Sequence, residues 1–189
     1  MAEKTRRHRP RPTLSEADLE EAARHYLDRF WVPADQLRRV LQRRVDKALR
    51  EQPIDPDVAR AWREAVVERF VEGGVVDDGR WAIERARVLL ERGRSPRAIR
   101  ADLQGRRLAS EHIDAAVASL RDEATNPELK AAATLARRRR LGPYRVEEER
   151  RERRERDLGA MARAGFSFDL ARRIIDAPDG ETVESWLDD

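Results

Sequence analysis

An all-α fold, with three tandem three-helix repeats in an elongated, curved array, is predicted by three features of the sequence. Apolar residues recur at helical spacing along the chain, and no segment shows the strict alternation of a half-buried strand. Charged residues make up 41% of the 189 and aromatics only 5%, which suits thin layers of Leu, Val, Ile and Ala between helices better than one large core. Two helix junctions also read alike. LLERGRSPRAIRADL and MARAGFSFDLARRII each run helix, glycine, basic or aromatic residue, serine cap, next helix.

The first repeat opens with Leu19, Ala22, Ala23, Tyr26, Leu27 and Phe30 on one stripe, followed after Pro33 by Leu37, Leu41 and Val45. Its third helix starts at DPDV, where Asp55 caps and Pro56 takes the first helical position, at which a missing amide proton costs little. The expected inward stripe is Val58, Ala61, Trp62, Ala65, Val66 and Phe70, and Gly73–Gly74 is a left-handed stop. In the second repeat Ala82, Ile83, Ala86, Leu89 and Leu90 form a helix ended by Gly93. Ser95–Pro96 starts a short helix with Ile99 and Leu103 inward, and Ser110 caps a third carrying Ile113, Val117 and Leu120. Asn126–Pro127 opens the last group: a helix through Leu135, a charged helix ending in AMARAGFS, and one carrying Leu170, Ile174 and Ile175. The resulting division is a disordered basic arm at 1–13, repeats at 14–74, 75–124 and 125–177, and an acidic tail at 178–189. Each repeat alone buries too little, and stacking supplies the shared core.

Charge is unevenly placed. Residues 1–12 carry +4 and residues 176–189 carry −6, leaving the middle at +5 within a total of +3. That total is too small to attract a polyanion unless the positive charges are segregated on one face. Only Lys4, Lys47 and Lys130 among the 40 basic residues are lysine. EEERRERRERD at 147–157 is eleven consecutive charges of net −1. Glu147–Arg151 and Glu152–Arg156 stand four apart with the acid first, each worth about 0.3 kcal/mol, so a solvated helix face or a spacer is the expected role. The acidic tail reads as a disordered, solubilising end in which Trp186 and Leu187 at most dock weakly, with folding onto the basic body as the alternative.

No constellation for catalysis is found. Cysteine is absent, which removes disulfides, thiolate metal sites and thiol nucleophiles and fits a reducing cytoplasm. No run approaches eighteen apolar residues, and the basic N-terminus has no apolar segment behind it. Paired acids such as Asp77–Asp78 can hold a metal only where more ligands converge, whereas capping a helix needs one Asp, with Trp81 then facing inward on the first turn. His8, His25 and His112 lack ligand spacing, GxSxG is absent, and Ser95, Ser110 and Ser167 read as caps. No cofactor and no metal is expected, and the chain is read as a monomer. The candidate functional residues are therefore arginines, whose forked donors suit carboxylates and phosphates. Arg94, Arg97, Arg100, Arg106 and Arg107 gather around one short helix, and Arg137, Arg138, Arg139 and Arg140 form the densest basic run. Each one singly is expected to balance a neighbouring glutamate; on one face they would form an interaction surface.

These residues carry a resemblance. VVDDGRWAIERARVLLERGRSPRAIRADL, with its Asp–Asp step, the Trp81–Ala82 pair, Gly93, Ile99 and Leu103, resembles the central signature of the RecX family, regulators of the RecA recombinase. HYLDRFWVPADQLRRVL is similar to that family's first unit, and LGAMARAGFSFDLARRII to its last, so the likeness spans about residues 15–176. Arg106–Arg107 stand where the family often has Lys-Gly, and Pro33 where it usually has serine. The resemblance implies an all-helical repeat protein that is not an enzyme. Such a protein would bind the recombinase filament along its groove and restrain ATP hydrolysis, strand exchange and co-protease activity, with single-stranded DNA as a further partner. The competing expectation from the arginines alone is a helical DNA-binding protein that acts without a recombinase.

Overall fold

The computed structural model describes residues 13–187; the basic arm with His8, and Asp188 and Asp189 of the tail, lie outside them. Every regular element among the described residues is helical. The chain divides into two compact units, Met1–Asp77 and Asp78–Asp189.

The first unit contains α1 (Glu16–Leu27), α2 (Ala34–Glu51) and α3 (Pro56–Glu72). Ser15 and Asp18 form a reciprocal capping box at the start of α1, and the Asp55 side chain accepts the Asp57 amide at the start of α3. Pro33 starts α2 with no side-chain cap. The core joins Leu19 and Ala23 of α1, Leu37, Leu41 and Val45 of α2, and Ala59, Val66 and Val67 of α3. Two features depart from the expected stripes. Phe30 lies past the end of α1 and is exposed. Val58 and Ala61 also face solvent, because α3 packs on both α1 and α2 and its buried face is centred on Ala59, Trp62, Val66 and Phe70. Arg69 joins α3 to Glu16 and Glu20 of α1, and Arg38 joins α2 to Glu64 at 2.8 Å.

The second unit contains α4 (Asp78–Glu91), α5 (Pro96–Gly105), α6 (Ser110–Ala118), α7 (Leu120–Glu123), α8 (Pro127–Arg139), α9 (Glu147–Arg163), α10 (Phe168–Ile175) and α11 (Gly180–Ser185). One continuous core runs from Trp81 to Val183. Ser95, Asn126 and Ser167 cap as expected; Ser110 does not, since α6 already includes it and the preceding Ala109 offers no side chain to cap with. Asp77 directly precedes α4, and Trp81 is buried on its first turn. Ile83, expected inside, is exposed. Gly93 ends α4 with φ of +77°, and a Cβ there would lie 2.8 Å from the backbone nitrogen of Leu135, so the α4–α5 junction lies directly on α8.

The charged run is largely the solvated helix face expected, but three of its residues are used inside the fold. Asp157, its last residue, is 1% exposed and accepts two hydrogen bonds from Arg145, both at 2.7 Å, and one from the Gly142 amide at 2.9 Å. It thereby fixes a short 3-10 turn at Gly142–Tyr144, unforeseen from the sequence, onto α9. Arg154 grips Asp176 bidentately at 2.7 Å, and Arg150 donates to the carbonyls of Ala177 and Pro178. Two arginines of the run thus clamp the carboxyl end of α10, where the helix dipole favours cations. Glu147 pairs with Arg150 rather than Arg151.

The expectation of a disordered C-terminal end fails for the described residues 178–187. Asp179 caps α11, Val183 is fully buried, and Trp186 stacks beneath the Arg173 guanidinium at 4.3 Å. The segment instead folds onto the basic body, as in the alternative expectation: Glu184 accepts from the Tyr144 hydroxyl at 2.8 Å and pairs with Arg137 at 3.2 Å. Composition signalled solvation, but the apolar residues among the acids anchor the segment.

Candidate functional site

In the second unit the two look-alike junctions meet. The Ser95 hydroxyl, completely buried, accepts the Ala98 amide as the cap of α5. It also donates to the carbonyl of Ala164 at the end of α9, at 2.9 Å. Gly165 is needed at that approach, since a Cβ there would lie 2.7 Å from the Ser95 oxygen.

Beside this contact lies a cleft of about 420 Å³ between the α4–α5 junction, the end of α8 and the end of α9. Five arginines line it: Arg92, Arg94, Arg138, Arg139 and Arg163. Its remaining lining is small or apolar, from Gly93, Leu135, Ala160 and Ala164, and includes no carboxylate. Arg138 donates to the carbonyl of Arg92 at 3.0 Å, which holds one wall. Arg94, Arg139 and Arg163 form no ion pair among the described residues. A second cleft, of about 520 Å³, shares Arg139, Ala160 and Arg163 with the first and adds Arg153 and Arg156. Its acids are Glu149 and Asp157, both engaged by Arg145. Burial pushes the Asp157 carboxyl up, but the Arg145 guanidinium and the Gly142 amide outweigh it and hold it below the usual carboxylate range.

The nine arginines singled out from sequence separate on this geometry. Arg94, Arg138 and Arg139 come together in the cleft. Arg97 is exposed on α5 away from it, and Arg100 pairs with Asp114 at 2.6 Å. Arg106 is structural: it bonds Asp102 at 3.0 Å, which Arg85 also holds, and lies 5.2 Å over the Trp81 ring. Arg107 adopts φ of +59°, so the turn without glycine forms by placing an arginine in the left-handed region. Arg137 is taken by Glu184, and Arg140 is the left-handed cap of α8 with φ of +51°. Arg92 and Arg163 complete the cleft and were not foreseen. The available signal was positional, since both lie within two residues of a junction glycine, Gly93 or Gly165.

Guanidinium groups converging without acids bind anions; they offer no nucleophile and no general base at neutral pH. Among the described residues no group of three or more His, Asp or Glu side chains converges as metal ligands would. No helix among them is long and apolar enough to cross a membrane. His25 is exposed and His112 half-buried, on separate helices.

No family model matches the chain. It is 41% identical over 170 residues to the regulatory protein RecX of Myxococcus xanthus (strain DK1622), a match that covers 89% of each chain. It is 29% identical over 168 residues to the regulatory protein RecX of Agrobacterium fabrum (strain C58 / ATCC 33970), covering 89% of this chain and 86% of the other. Against that of Thermobifida fusca (strain YX) it is 33% identical over 135 residues, covering 68% and 65%. Among solved structures it resembles a crystal structure of regulatory protein RecX, with a TM-score of 0.59 at 20% identity over 86% of this chain and 74% of that one. At that identity the structural likeness speaks to the fold.

Proposed function

The chain belongs to the RecX family of regulatory proteins, and from that premise we propose that it regulates a RecA-type recombinase in DNA recombination and repair. It acts by binding rather than by chemistry. Bound along the groove of the nucleoprotein filament, it bridges neighbouring subunits and hinders the motions coupled to nucleotide turnover. ATP hydrolysis, strand exchange and co-protease activity all fall. The observation that carries this reading is the 41% identity to a protein named as regulatory, spread over 89% of both chains rather than confined to one motif. We also propose that the chain is three tandem copies of a three-helix unit, at 14–74, 75–124 and 125–177, on the strength of the paired Gly-x-Ser junctions.

The test is single-strand-dependent ATP hydrolysis by the cognate recombinase, measured with the full chain added up to micromolar excess. A dose-dependent fall is expected. Unchanged hydrolysis would sink the regulatory reading.

A further inference from the structure

We propose that the five-arginine cleft is a binding site for consecutive phosphate groups, whether from a free polyphosphate or from the backbone of a nucleic acid. Arg92, Arg94, Arg138, Arg139 and Arg163 reach it from three separate elements, which places like charges together from positions up to seventy-one residues apart. Such a gathering is self-repelling, and no carboxylate lines the cleft to offset it. Other arginines of the chain are met by acids, as Arg69 is by Glu16, Arg85 by Asp102 and Arg154 by Asp176, or stand singly on the surface, as Arg97 and Arg121 do. At the cleft five exposed guanidiniums share one concavity, so a bound anion would find its counter-charge already assembled.

The lining also selects the class of anion. No aromatic ring is present for a base to stack on, and no Asn, Gln, Asp or Glu is present to read a base edge. The lining therefore favours phosphates over bases, a guanine edge or a guanidinium stacked on a base being the base contacts left to it. Its volume, about 420 Å³, lies within the range of small-ligand sites and admits a short run of phosphates rather than a folded segment. Several guanidiniums that cannot be met by one phosphate favour two or three in sequence, each accepting a forked pair of N–H donors. Phosphate is preferred to carboxylate because a chain of adjacent phosphates presents the higher charge density that five clustered cations require.

The test uses the full chain without recombinase, so it succeeds or fails independently of the regulatory reading. Binding of inorganic triphosphate, adenosine triphosphate, adenosine monophosphate, a mixed-sequence single-stranded oligonucleotide and poly-glutamate is followed by titration and by melting temperature. Triphosphate or oligonucleotide should bind and raise the melting temperature, whereas the monophosphate at equal concentration should do neither. The double variant Arg94→Ala/Arg139→Ala should weaken phosphate binding by about tenfold or more. On single strands it should flatten the salt dependence by about 1.4 log units per log of salt, two phosphates' worth. The charge-matched control Arg24→Ala/Arg60→Ala, in the first unit, should change affinity less than about twofold. Unliganded, the cleft variant should melt no lower than the parent, since it removes unpaired like charges; if it does not fold, Arg163→Ala is measured instead. Binding of the oligonucleotide alone assigns the cleft to a polymer backbone, and equal binding of triphosphate assigns it to the free anion. Wild-type phosphate affinity in the cleft variants overturns the proposal, as does poly-glutamate binding as tightly as the phosphate probes.

Discussion

The Ser95 hydroxyl donates to the Ala164 carbonyl across 69 residues of chain, at 2.9 Å and out of contact with water. One oxygen serves two structures: it caps α5 through the Ala98 amide and ties down the last turn of α9. The two junctions whose sequences resemble one another are thus in contact, and the arginines beside their glycines are brought to one cleft. Local sequence likeness becomes a spatial relationship, and the shape of the basic cleft depends on it.

Ser95→Ala should therefore cost more than the loss of an ordinary cap. Removing a capping hydroxyl costs about 1 kcal/mol, and leaving the buried Ala164 carbonyl without its donor adds about 1 kcal/mol. Ser167→Ala is the comparison, because Ser167 caps α10 in the same way but is exposed and has no second partner among the described residues. Urea denaturation should show the first variant about 2 kcal/mol below the parent and the second about 1 kcal/mol below. Equal losses would mean that the Ala164 bond contributes nothing.

Glycine substitutions separate conformational strain from steric exclusion. Gly74 and Gly93 both have positive φ, but a Cβ at Gly74 meets nothing within 4 Å, whereas at Gly93 it meets the Leu135 and Ala131 backbone at 2.8 to 3.1 Å. Gly74→Ala should cost about 1 kcal/mol, the ordinary penalty for leaving the left-handed region to a residue with a Cβ. Gly93→Ala should exceed that by at least about 2 kcal/mol, because the α4–α5 junction must lift off α8. Thermal melting of the two variants decides it, and matching losses would show that α8 gives way freely.

Much of this could be read from sequence, and the failures share a cause. The Leu37–Leu41–Val45 stripe and the caps at Asp55, Ser95, Asn126 and Ser167 are local signals, and the structure keeps them. Val58 and Ile83 fail because a helical stripe predicts a face, while tertiary packing chooses where that face is centred. Asp157 was hidden within a run whose composition spoke only of solvent, and nothing local marks it apart from the five other acids there. At the candidate site, Arg94, Arg138 and Arg139 were found as members of dense basic runs. Their neighbours Arg97, Arg100, Arg137 and Arg140 point elsewhere, which charge density cannot resolve. Arg163 needed the pairing of the two junctions, a long-range relation with no local signature.

Asp157 should contribute to the acid response of the second unit, where Asp102, Asp176 and Asp179 are held down as well. Its folded pKa lies below the ordinary value of 3.8, since Arg145 and Gly142 overcome the burial that would raise it. A depressed carboxylate contributes stability that is complete above its unfolded pKa and is lost as pH falls through the folded one. Unfolding free energy should thus be flat from neutrality to about pH 5 as far as this group is concerned, then decline below about pH 4. Asp157→Asn should flatten that decline and cost about 3 kcal/mol at pH 7, because the Arg145 guanidinium keeps only the more distant, exposed Glu149 as counter-charge. Denaturant titrations across pH 3 to 7 would check both, and an unchanged acid slope in the variant would remove Asp157 from the account.

Arg140 offers the opposite outcome, a stabilising change inside the basic run. It caps α8 with φ of +51°, in a region where a side chain costs about 1 to 2 kcal/mol. Arg140→Gly relieves that strain and gives back part of the gain through the greater freedom of the unfolded chain. A net increase of about 0.5 to 1 kcal/mol in unfolding free energy is expected. Arg140 lines neither basic cleft, so the same variant should bind triphosphate and oligonucleotide as the parent does, although it has lost one of four consecutive arginines. Measuring stability and anion affinity on this one variant tests whether the run acts as a block of charge or residue by residue. A loss of stability would show that the Arg140 side chain holds the cap, and a loss of affinity would extend the phosphate site beyond the cleft.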